Sequence, residues 1–475
     1  TDGTRLAVDI YLPEIGRKTA AIMYAGRNTR RQRYAEQQGF IEALLAHGYA
    51  VVIPDMRGTG ASFGRTDGFH GRRDAQDMKC LMEKLVLEDW SDGNFGMFGG
   101  SNCGFIQDLT AAERPEPLRA VIPCDCHPDF YYQDYPNGAS RHIEFVGGLK
   151  EIPVPCEPVD EDVDGALYAK AQEDHKTNLG FLGEYFSNMH RDTVNPSLGK
   201  APMMENTIWN RMESIEYSRI RYYKNGAWYD PGAAGAILAH KVFDGKLLIG
   251  PWRHCEIFRS NKPAPDSPDP FHLPLDMPNG GFEWEEEYIR FFDASIYGAD
   301  NGCFEEPKVR YYVRNEVPEK AWRYAADLPL DTQQIVALYM SDAESGTIDS
   351  CFDGGLSETP VCCDTVIQYQ TDPSIKLFGI TCTLNRRLES SFCEEAKKCL
   401  TFTTAKFDKD FEITGIPTLE LDVTSDCEDG LFLAVLEEVF EDGTTCFISD
   451  GAIRASHANT GYNKAYAGAD NIHSA

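Results

Sequence analysis

The stretch Gly93-Asn94-Phe95-Gly96-Met97-Phe98-Gly99-Gly100-Ser101-Asn102-Cys103-Gly104 decides how the rest of this chain is interpreted. Residues 95–98 are apolar, as expected of a strand buried on both faces, and apolar residues recur at helical spacing after residue 103. Glycine before Ser101 permits a strained turn directly from strand to helix. Such a turn lifts the serine hydroxyl above the sheet edge and directs the amide of Asn102 at a developing oxyanion. Gly-x-Ser also occurs in ordinary turns, so the prediction of a nucleophile elbow depends on the flanking strand and helix.

Strand and helix patterns alternate on both sides of this turn. A chain that alternates in this way is expected to form a parallel sheet covered by helices on both faces. The predicted strands span residues 6–12, 20–24, 49–54, 120–124, 220–223 and 246–250, and the predicted helices span residues 39–47, 74–88, 232–241 and 283–297.

The sheet pattern stops between about residues 126 and 216. This segment is aromatic, acidic and proline-bearing, with helical patterns at 166–174 and 203–212. A disordered linker is the alternative, but the segment holds too many aromatic residues for one. We therefore predict an inserted helical cap. The aromatic residues concerned are Tyr131, Tyr132, Phe181, Tyr185, Phe186 and Trp209.

After about residue 328 the pattern changes to short β-type runs. Turn signals such as Asp429-Gly430 and Asp442-Gly443 separate them. This arrangement predicts an all-β sandwich or jelly roll. The predicted strands span residues 335–340, 399–403, 419–423, 431–436 and 446–449.

Composition limits the possible partners of the chain. The 475 residues carry a net charge of −30, which argues against binding to nucleic acid or an anionic membrane, since both need a basic surface. No run of about 18 apolar residues or signal-peptide pattern occurs, so we expect a cytoplasmic protein without a membrane span. The chain begins at Thr1 rather than at methionine, which indicates a fragment or a trimmed chain. A homodimer is a possible oligomeric state that the sequence leaves open.

Fifteen cysteines are present, and their odd number and irregular spacing favour free thiols over disulfides. The run Cys124-Asp125-Cys126-His127 has ligand-type side chains, but no second ligand pair follows at zinc spacing. We therefore expect neither a metal site nor a cofactor. Cys103 lies at or near the start of the predicted helix, so its side chain should turn away from the elbow and it is not the expected nucleophile.

A serine nucleophile needs a base that takes its proton and an acid that holds this base in the right tautomer. In a doubly wound hydrolase sheet these residues follow in the order Ser, Asp, His, each at the carboxyl end of a strand. Ser101, Asp230 and His254 satisfy both conditions. They are the predicted nucleophile, acid and base, with Asp244 as the alternative acid.

Longer motifs extend this pattern along nearly the whole chain. They are Asp55-Met56-Arg57-Gly58, Trp90-Ser91-Asp92-Gly93-Asn94 leading into Gly96-Met97-Phe98-Gly99-Gly100-Ser101, Trp228-Tyr229-Asp230, Gly250-Pro251-Trp252-Arg253-His254, Thr414-Gly415 and Ser449-Asp450-Gly451-Ala452-Ile453-Arg454. In combination they resemble the cocaine esterase and X-prolyl dipeptidyl peptidase family of α/β-hydrolases.

This resemblance implies a domain organisation and a set of site residues. An α/β-hydrolase domain would comprise residues 1–125 and 218–327, a helical cap residues 126–217, and a jelly-roll β-sandwich residues 328–475. It also implies Ser101 as nucleophile, Asp230 as acid and His254 as base. Because the family's jelly roll runs past the position of Ala475, the sandwich is expected to be truncated.

Two departures from the family concern the oxyanion site. Tyrosine usually follows the family's nucleophile, whereas this chain has Asn102, whose backbone amide still serves as a donor. The family's second donor is a tyrosine hydroxyl in a Pro-Tyr pair, and the corresponding stretch here is Tyr24-Ala25-Gly26-Arg27. Tyr24 or Arg27 is the candidate replacement. Losing one donor would cost about 10²–10³ in rate.

The predicted function is a serine hydrolase that cleaves small-molecule esters or peptide amides through an acyl-enzyme. A catalytically weak relative that binds ligands is the alternative from another class. X-Pro dipeptidyl-peptidase activity is the alternative within the mechanism, and it needs carboxylates to bind a substrate ammonium group. The available carboxylates are Asp125, Asp129, Asp134 and Glu144.

Overall fold

A nine-stranded sheet is the centre of the computed structural model, which describes residues 2–67, 70–139, 156–178, 192–196, 199–205, 207–208, 211, 219–230, 232–258, 281–361, 366–372 and 396–458. The strand order is β1-β3-β2-β4-β5-β6-β7-β8-β9. Strands β2 to β8 run parallel, and β1 and β9 pair antiparallel at the two edges. The strands are β1 (Val8–Tyr11), β2 (Thr19–Met23), β3 (Ala50–Pro54), β4 (Ser91–Gly100), β5 (Leu118–Cys124), β6 (Arg221–Tyr229), β7 (Lys246–Arg253), β8 (Val309–Tyr312) and β9 (Trp322–Ala325).

Helices cover this sheet on both faces, as the sequence predicted. None in the described ranges combines the length and apolar character needed to span a bilayer. The helices are α1 (Arg30–His47), α2 (Arg72–Leu85), α3 (Asn102–Ala112), α4 (Phe130–Asp134), α5 (Ala166–His175), α6 (Pro202–Glu205), α7 (Gly232–Phe243), α8 (Trp284–Phe292) and α9 (Pro318–Ala321).

The two faces of the sheet hold separate apolar clusters because successive strand residues point to opposite sides. Ile22 and Val51 face α1 and α8, whereas Met23 and Val52 face α2 and α3. All four residues are fully buried. Burial on both faces explains why these strands are continuous apolar runs in the sequence.

Some elements are longer than their patterns predicted. Helix α1 begins at Arg30 rather than at residue 39. The sequence pattern missed its first half because those residues are polar and show no apolar periodicity. The helix ends before Gly48, whose φ of 101° is the left-handed conformation expected of a helix stop. Strands β6 and β7 continue to Tyr229 and Arg253, since they keep pairing with each other past a bulge.

The predicted cap segment begins with helix α4, which packs on the helix that follows the elbow. Phe105 of α3 meets Phe130 at a ring-centroid distance of 5.0 Å. Helix α5 matches the predicted helix at 166–174. Only α6 falls in the predicted helix at 203–212, and residues 206, 209–210 and 212 lie outside the described ranges. Phe181, Tyr185, Phe186 and Trp209 also lie outside them, so the helical cap stays a prediction.

The C-terminal region contains two small sheets among its described residues. One consists of β10 (Tyr339–Ser341), β11 (Phe352–Ser357) and β12 (Leu400–Thr404), and the other of β13 (Leu431–Val439) and β14 (Thr445–Arg454). The jelly roll stays a prediction.

Two strand predictions in this region need correction. The predicted strand at 419–423 is wrong, since these residues form no strand and Leu421 is 48% exposed. The predicted strand at 335–340 is reduced to β10. An alternating pattern favours a strand only where a neighbouring strand supplies its backbone hydrogen bonds.

Candidate active site

Ser101 lies at the sharp turn between β4 and α3, as the sequence predicted. Its φ and ψ of 56° and −125° are unusual for a residue other than glycine. Its backbone N–H donates to the carbonyl of Cys124 in the neighbouring strand at 3.0 Å. The chain therefore holds this serine in a strained conformation at the carboxyl end of a central strand.

Glycines permit the close packing around this turn. A Cβ on Gly99 would lie 2.6 Å from Cβ of Cys103, and one on Gly104 would lie 2.8 Å from the carbonyl oxygen of Cys124. Gly99 also has a φ of 136°, which L side chains rarely adopt. Any larger residue at either position would push the helix away from the sheet.

Asp230 and His254 form a hydrogen-bonded pair at the same edge of the sheet. Asp230 follows β6 and His254 follows β7. Nδ1 of His254 lies 2.6 Å from Oδ2 of Asp230, and because a carboxylate only accepts, Nδ1–H donates. The second oxygen of Asp230 accepts the N–H of Gly232 at 2.6 Å. Both carboxylate oxygens of Asp230 are therefore occupied, and the carboxylate holds the imidazole in the tautomer with a proton on Nδ1.

The turn that carries His254 contacts the elbow. A Cβ on Gly100, the residue before Ser101, would lie 2.7 Å from Sγ of Cys255, the residue after His254. All three predicted site residues thus follow the carboxyl ends of nearby parallel strands. Asp244, the alternative acid, precedes β7 at the opposite edge and pairs with Lys308 in an exposed position.

The charge of the imidazole depends on its surroundings. Burial lowers the pKa of His254, whereas the Cys255 sulfur and the hydrogen-bonded Asp230 carboxylate raise it. Together these effects raise the pKa of His254 well above its usual value of 6.5. The side chain of Asp230 is fully buried, so water screens this pair weakly. The site therefore favours the imidazolium form of His254.

The side chains of the two oxyanion candidates, Tyr24 and Arg27, both contact other residues of the protein. The ring of Tyr24 is buried and stacks on Phe98 at 4.6 Å, and burial raises its pKa well above 10.0. The guanidinium of Arg27 donates to Oγ1 of Thr66 at 2.8 Å. The backbone N–H of Arg27 donates to the side-chain oxygen of Asn102, also at 2.8 Å.

The acidic candidates for binding a substrate ammonium group are internal where they are described. Asp125 is 2% exposed, and its Oδ2 accepts the N–H of Cys255 at 2.9 Å. Asp129 is fully buried and caps helix α4 through the N–H of Tyr132. The side chain of Asp134 and all of Glu144 lie outside the described residues.

Comparisons with known proteins identify the family of this chain. The model of the family described as X-Pro dipeptidyl-peptidase (S15 family) matches residues 2–256, which is more than half of the chain. The chain belongs to the S15 family. A second model, the X-Pro dipeptidyl-peptidase C-terminal non-catalytic domain, matches residues 301–461.

Relatives of this S15 chain have been named as esterases. It is 26% identical to a putative serine esterase of Mycobacterium bovis, over 96% of this chain and 79% of that protein. It is also 26% identical to the cocaine esterase of a Rhodococcus strain, over 97% of this chain and 82% of that protein. The chain is therefore a hydrolase of a serine esterase and peptidase family.

A solved structure shares the fold of this S15 chain. A CocE/NonD family hydrolase from Staphylococcus aureus superposes with a TM-score of 0.53 and 16% identity, over 75% of this chain and 58% of that one. The mostly parallel central sheet is thus of the α/β-hydrolase type.

The cysteines near the S15 elbow do not gather into a ligand set. Sγ of Cys124 lies 3.1 Å from the hydroxyl of Tyr288, whereas His127 accepts the N–H of Asp129 through Nδ1. Within the described ranges, no group of three or more His, Cys, Asp or Glu side chains could hold a metal ion. Cys103 is 4% exposed, and burial raises its pKa to about 12, so it is a protonated thiol at neutral pH.

Proposed function

We propose that this protein is a serine hydrolase in which Ser101, His254 and Asp230 act as a catalytic triad and an acyl-enzyme forms on Ser101. The observation that carries the proposal is the 2.6 Å hydrogen bond between His254 and buried Asp230, at the sheet edge where Ser101 occupies a strained elbow. Three residue types with complementary roles follow three parallel strands in the required order.

The proposed reaction proceeds in two halves. Oγ of Ser101 attacks the acyl carbon while Nε2 of His254 takes the hydroxyl proton, and Asp230 stabilises the resulting imidazolium. The tetrahedral oxyanion is stabilised by the backbone N–H of Asn102 at the start of α3. Collapse expels the alcohol or amine, which takes the proton from His254. Water then attacks the acyl-enzyme by the same route and releases the acid.

Asn102 is the one oxyanion donor that we assign. The hydrogen bond between the side chains of Tyr24 and Cys103 and the bond from Arg27 to Thr66 support leaving both side chains out of this role. The backbone N–H of Arg27 is close enough to bond to the side chain of Asn102, so the loop after β2 lies against the elbow.

An ester is the favoured substrate class. Asp125 and Asp129 are buried and already accept backbone N–H groups, so neither is available for a substrate ammonium group. Two relatives named as esterases support the same choice. X-Pro dipeptidyl-peptidase activity is the second candidate, because the family model that matches residues 2–256 carries that description. A helical cap beside this edge and a C-terminal jelly roll belong to the same proposal.

Covalent labelling tests the triad. A fluorophosphonate should label the wild-type protein on Ser101, and Ser101→Ala should remove both labelling and turnover without changing the fold. Ser350→Ala is the matched control, since that hydroxyl, just before β11, bonds to the hydroxyl of Thr401 in β12 of the C-terminal region. A wild-type protein that resists labelling would favour the catalytically weak relative.

A substrate panel tests the specificity. We expect turnover of p-nitrophenyl esters and little turnover of X-Pro anilides. Higher kcat/KM on the anilides would establish the peptidase alternative with the same triad. Unchanged hydrolysis by purified Ser101→Ala would reject the mechanism altogether.

A further inference from the structure

A second carboxyl group lies beside the proposed triad, and the mechanism above gives it no role. Asp125 follows β5, the strand between the one that carries Ser101 and the one that carries Asp230. Its Oδ2 accepts the backbone N–H of Cys255 at 2.9 Å, across 130 positions of sequence. The residue is 2% exposed, so this carboxyl is an internal group.

The contact joins two strained turns. Asp125 has a φ of 46° and Cys255 a φ of 58°, both in the left-handed region that residues other than glycine rarely adopt. Such conformations persist where the surrounding contacts enforce them, and they concentrate at functional sites. Cys255 directly follows His254, so the turn that Asp125 holds is the turn that aims the imidazole.

Other contacts fix Asp125 itself. Its backbone N–H donates to the carbonyl of Asn225 in β6 at 3.0 Å. A Cβ on Gly232 would lie 2.6 Å from the carbonyl carbon of Asp125 and 2.7 Å from Oδ1 of Asp230. Asp125 is therefore wedged between β6 and the start of α7, and it transmits that rigid position to the turn after β7.

We propose that Asp125 is a positioning residue of the triad, whose carboxyl group anchors the turn at Cys255 and thereby fixes the imidazole of His254. The inference rests on the proposed function, because it needs His254 to be the base. It assigns Asp125 to the enzyme's own machinery rather than to the binding of a substrate ammonium group. A displaced base costs rate without weakening substrate binding, so the effect belongs to kcat.

The charge of Asp125 adds a pH dependence. Burial and the negative charge of Asp230 raise the pKa of Asp125 to about 8, against the opposing effects of the His254 imidazolium and the Cys255 N–H. The group is therefore neutral below that pH and anionic above it. The anion would stabilise the imidazolium that forms in the transition state. The titratable groups that face Asp125 are Asp230, His254, Cys255, Glu256, Cys124, Cys126 and Tyr288.

Two substitutions separate the acceptor from the charge. Asp125→Asn keeps an oxygen that can accept the Cys255 N–H, so kcat at pH 7 should stay within about threefold of wild type. Asp125→Leu removes the acceptor at similar volume, so kcat should fall about 10–100-fold while KM stays within about threefold. Wild-type kcat divided by Asp125→Asn kcat should be constant below pH 7 and should rise above pH 8, where only the wild type gains a charge.

Asp162→Leu is the matched control. Asp162 is also buried and accepts two backbone N–H groups, from Leu167 and Tyr168 at the start of α5. We expect its kcat to equal that of wild type. A folded Asp125→Leu enzyme with wild-type kcat would overturn the inference, and so would Asp125→Asn with the losses expected of Asp125→Leu.

The remaining outcomes also decide the question. If Asp125→Leu fails to fold, Asp125→Ala becomes the test, because it also removes the acceptor of the Cys255 N–H. Wild-type kcat in that variant overturns the inference, and a loss of about 10–100-fold with KM within about threefold supports it. Failure of the proposed function looks different, since Ser101→Ala would then keep its activity whatever happens at Asp125.

Discussion

The nine-stranded sheet and the C-terminal region differ in how they hold their strands. Every residue of β3 is buried, whereas no residue of β13 is. Their ion pairs differ in the same way: Lys224 and Asp108 in the sheet region are each 1% exposed, but Lys406 and Glu441 in the C-terminal region are 77% and 82% exposed. Each residue of the proposed triad directly follows a strand of this sheet. Substitutions in the sheet region should therefore strongly lower activity or stability, and equivalent substitutions in the C-terminal region should have small effects.

The largest expected effect is on catalysis. His254→Ala should lower kcat about 10⁵–10⁶-fold, because the members of a triad act as a unit. His457→Ala, in the turn after β14, should leave kcat within about twofold, because it lies outside the triad. Steady-state kinetics on a p-nitrophenyl ester measure both. Comparable losses in the two variants would break the contrast between the regions.

The next effect is on stability. Asp108→Leu leaves the ammonium group of Lys224 buried without its partner, which should lower the free energy of unfolding by about 3–5 kcal/mol. Glu441→Gln removes the exposed partner of Lys406 and should cost about 0–1 kcal/mol. Urea denaturation of both variants makes the comparison. Equal midpoints would show that the pair in the sheet region is better hydrated than its burial indicates.

Catalytic activity and folding stability should depend on pH in opposite ways, because both depend on the protonation of His254. Because the pKa of His254 is raised, kcat/KM should fall as pH drops, with an acid limb above 6.5. The contribution of His254 to folding has the opposite sign: it is fully present below pH 6.5 and is lost as pH rises through the folded pKa. At pH 6, circular dichroism should therefore show a folded chain, and steady-state kinetics on a p-nitrophenyl ester should show reduced activity. An acid limb at or below 6.5 would contradict the raised pKa.

The smallest expected effect concerns Arg27. Arg27→Ala should leave kcat within about threefold, because the guanidinium is bonded to Thr66 and the backbone N–H survives the substitution. Thr66→Ala is the matched control, since it removes the other partner of the same bond. A fall in kcat of about 10²–10³ with unchanged KM would make the guanidinium an oxyanion donor after all.

The sequence predicted the sheet region better than the C-terminal region, for a physical reason. Strands buried on both faces are continuous apolar runs, so β2, β3 and β5 were located to within a residue or two. The C-terminal strands are half exposed, and their alternation also occurs at 419–423, where no strand forms. The polar first half of α1 carried no periodic signal.

The candidate site divides in a similar way. Chain order and strand ends were enough to predict Ser101, Asp230 and His254, and the structure brings Asp230 and His254 into contact. The bond between Asp125 and Cys255 could not be predicted, because it depends on how two loops 130 positions apart meet above the sheet. The sequence could still have indicated a role for Asp125 near the triad, because this residue also follows a parallel strand at that edge.

The strand order also determines when this enzyme can become active as it is synthesised. The elbow needs only β2, β4 and β5, all complete by Cys124, whereas the acid and the base arrive with β6 and β7. While residues 126–217 are being made, a nascent chain therefore carries Ser101 without the proposed acid and base. With the proposed triad, activity would require β7 to pair with β6 and bring His254 to Asp230.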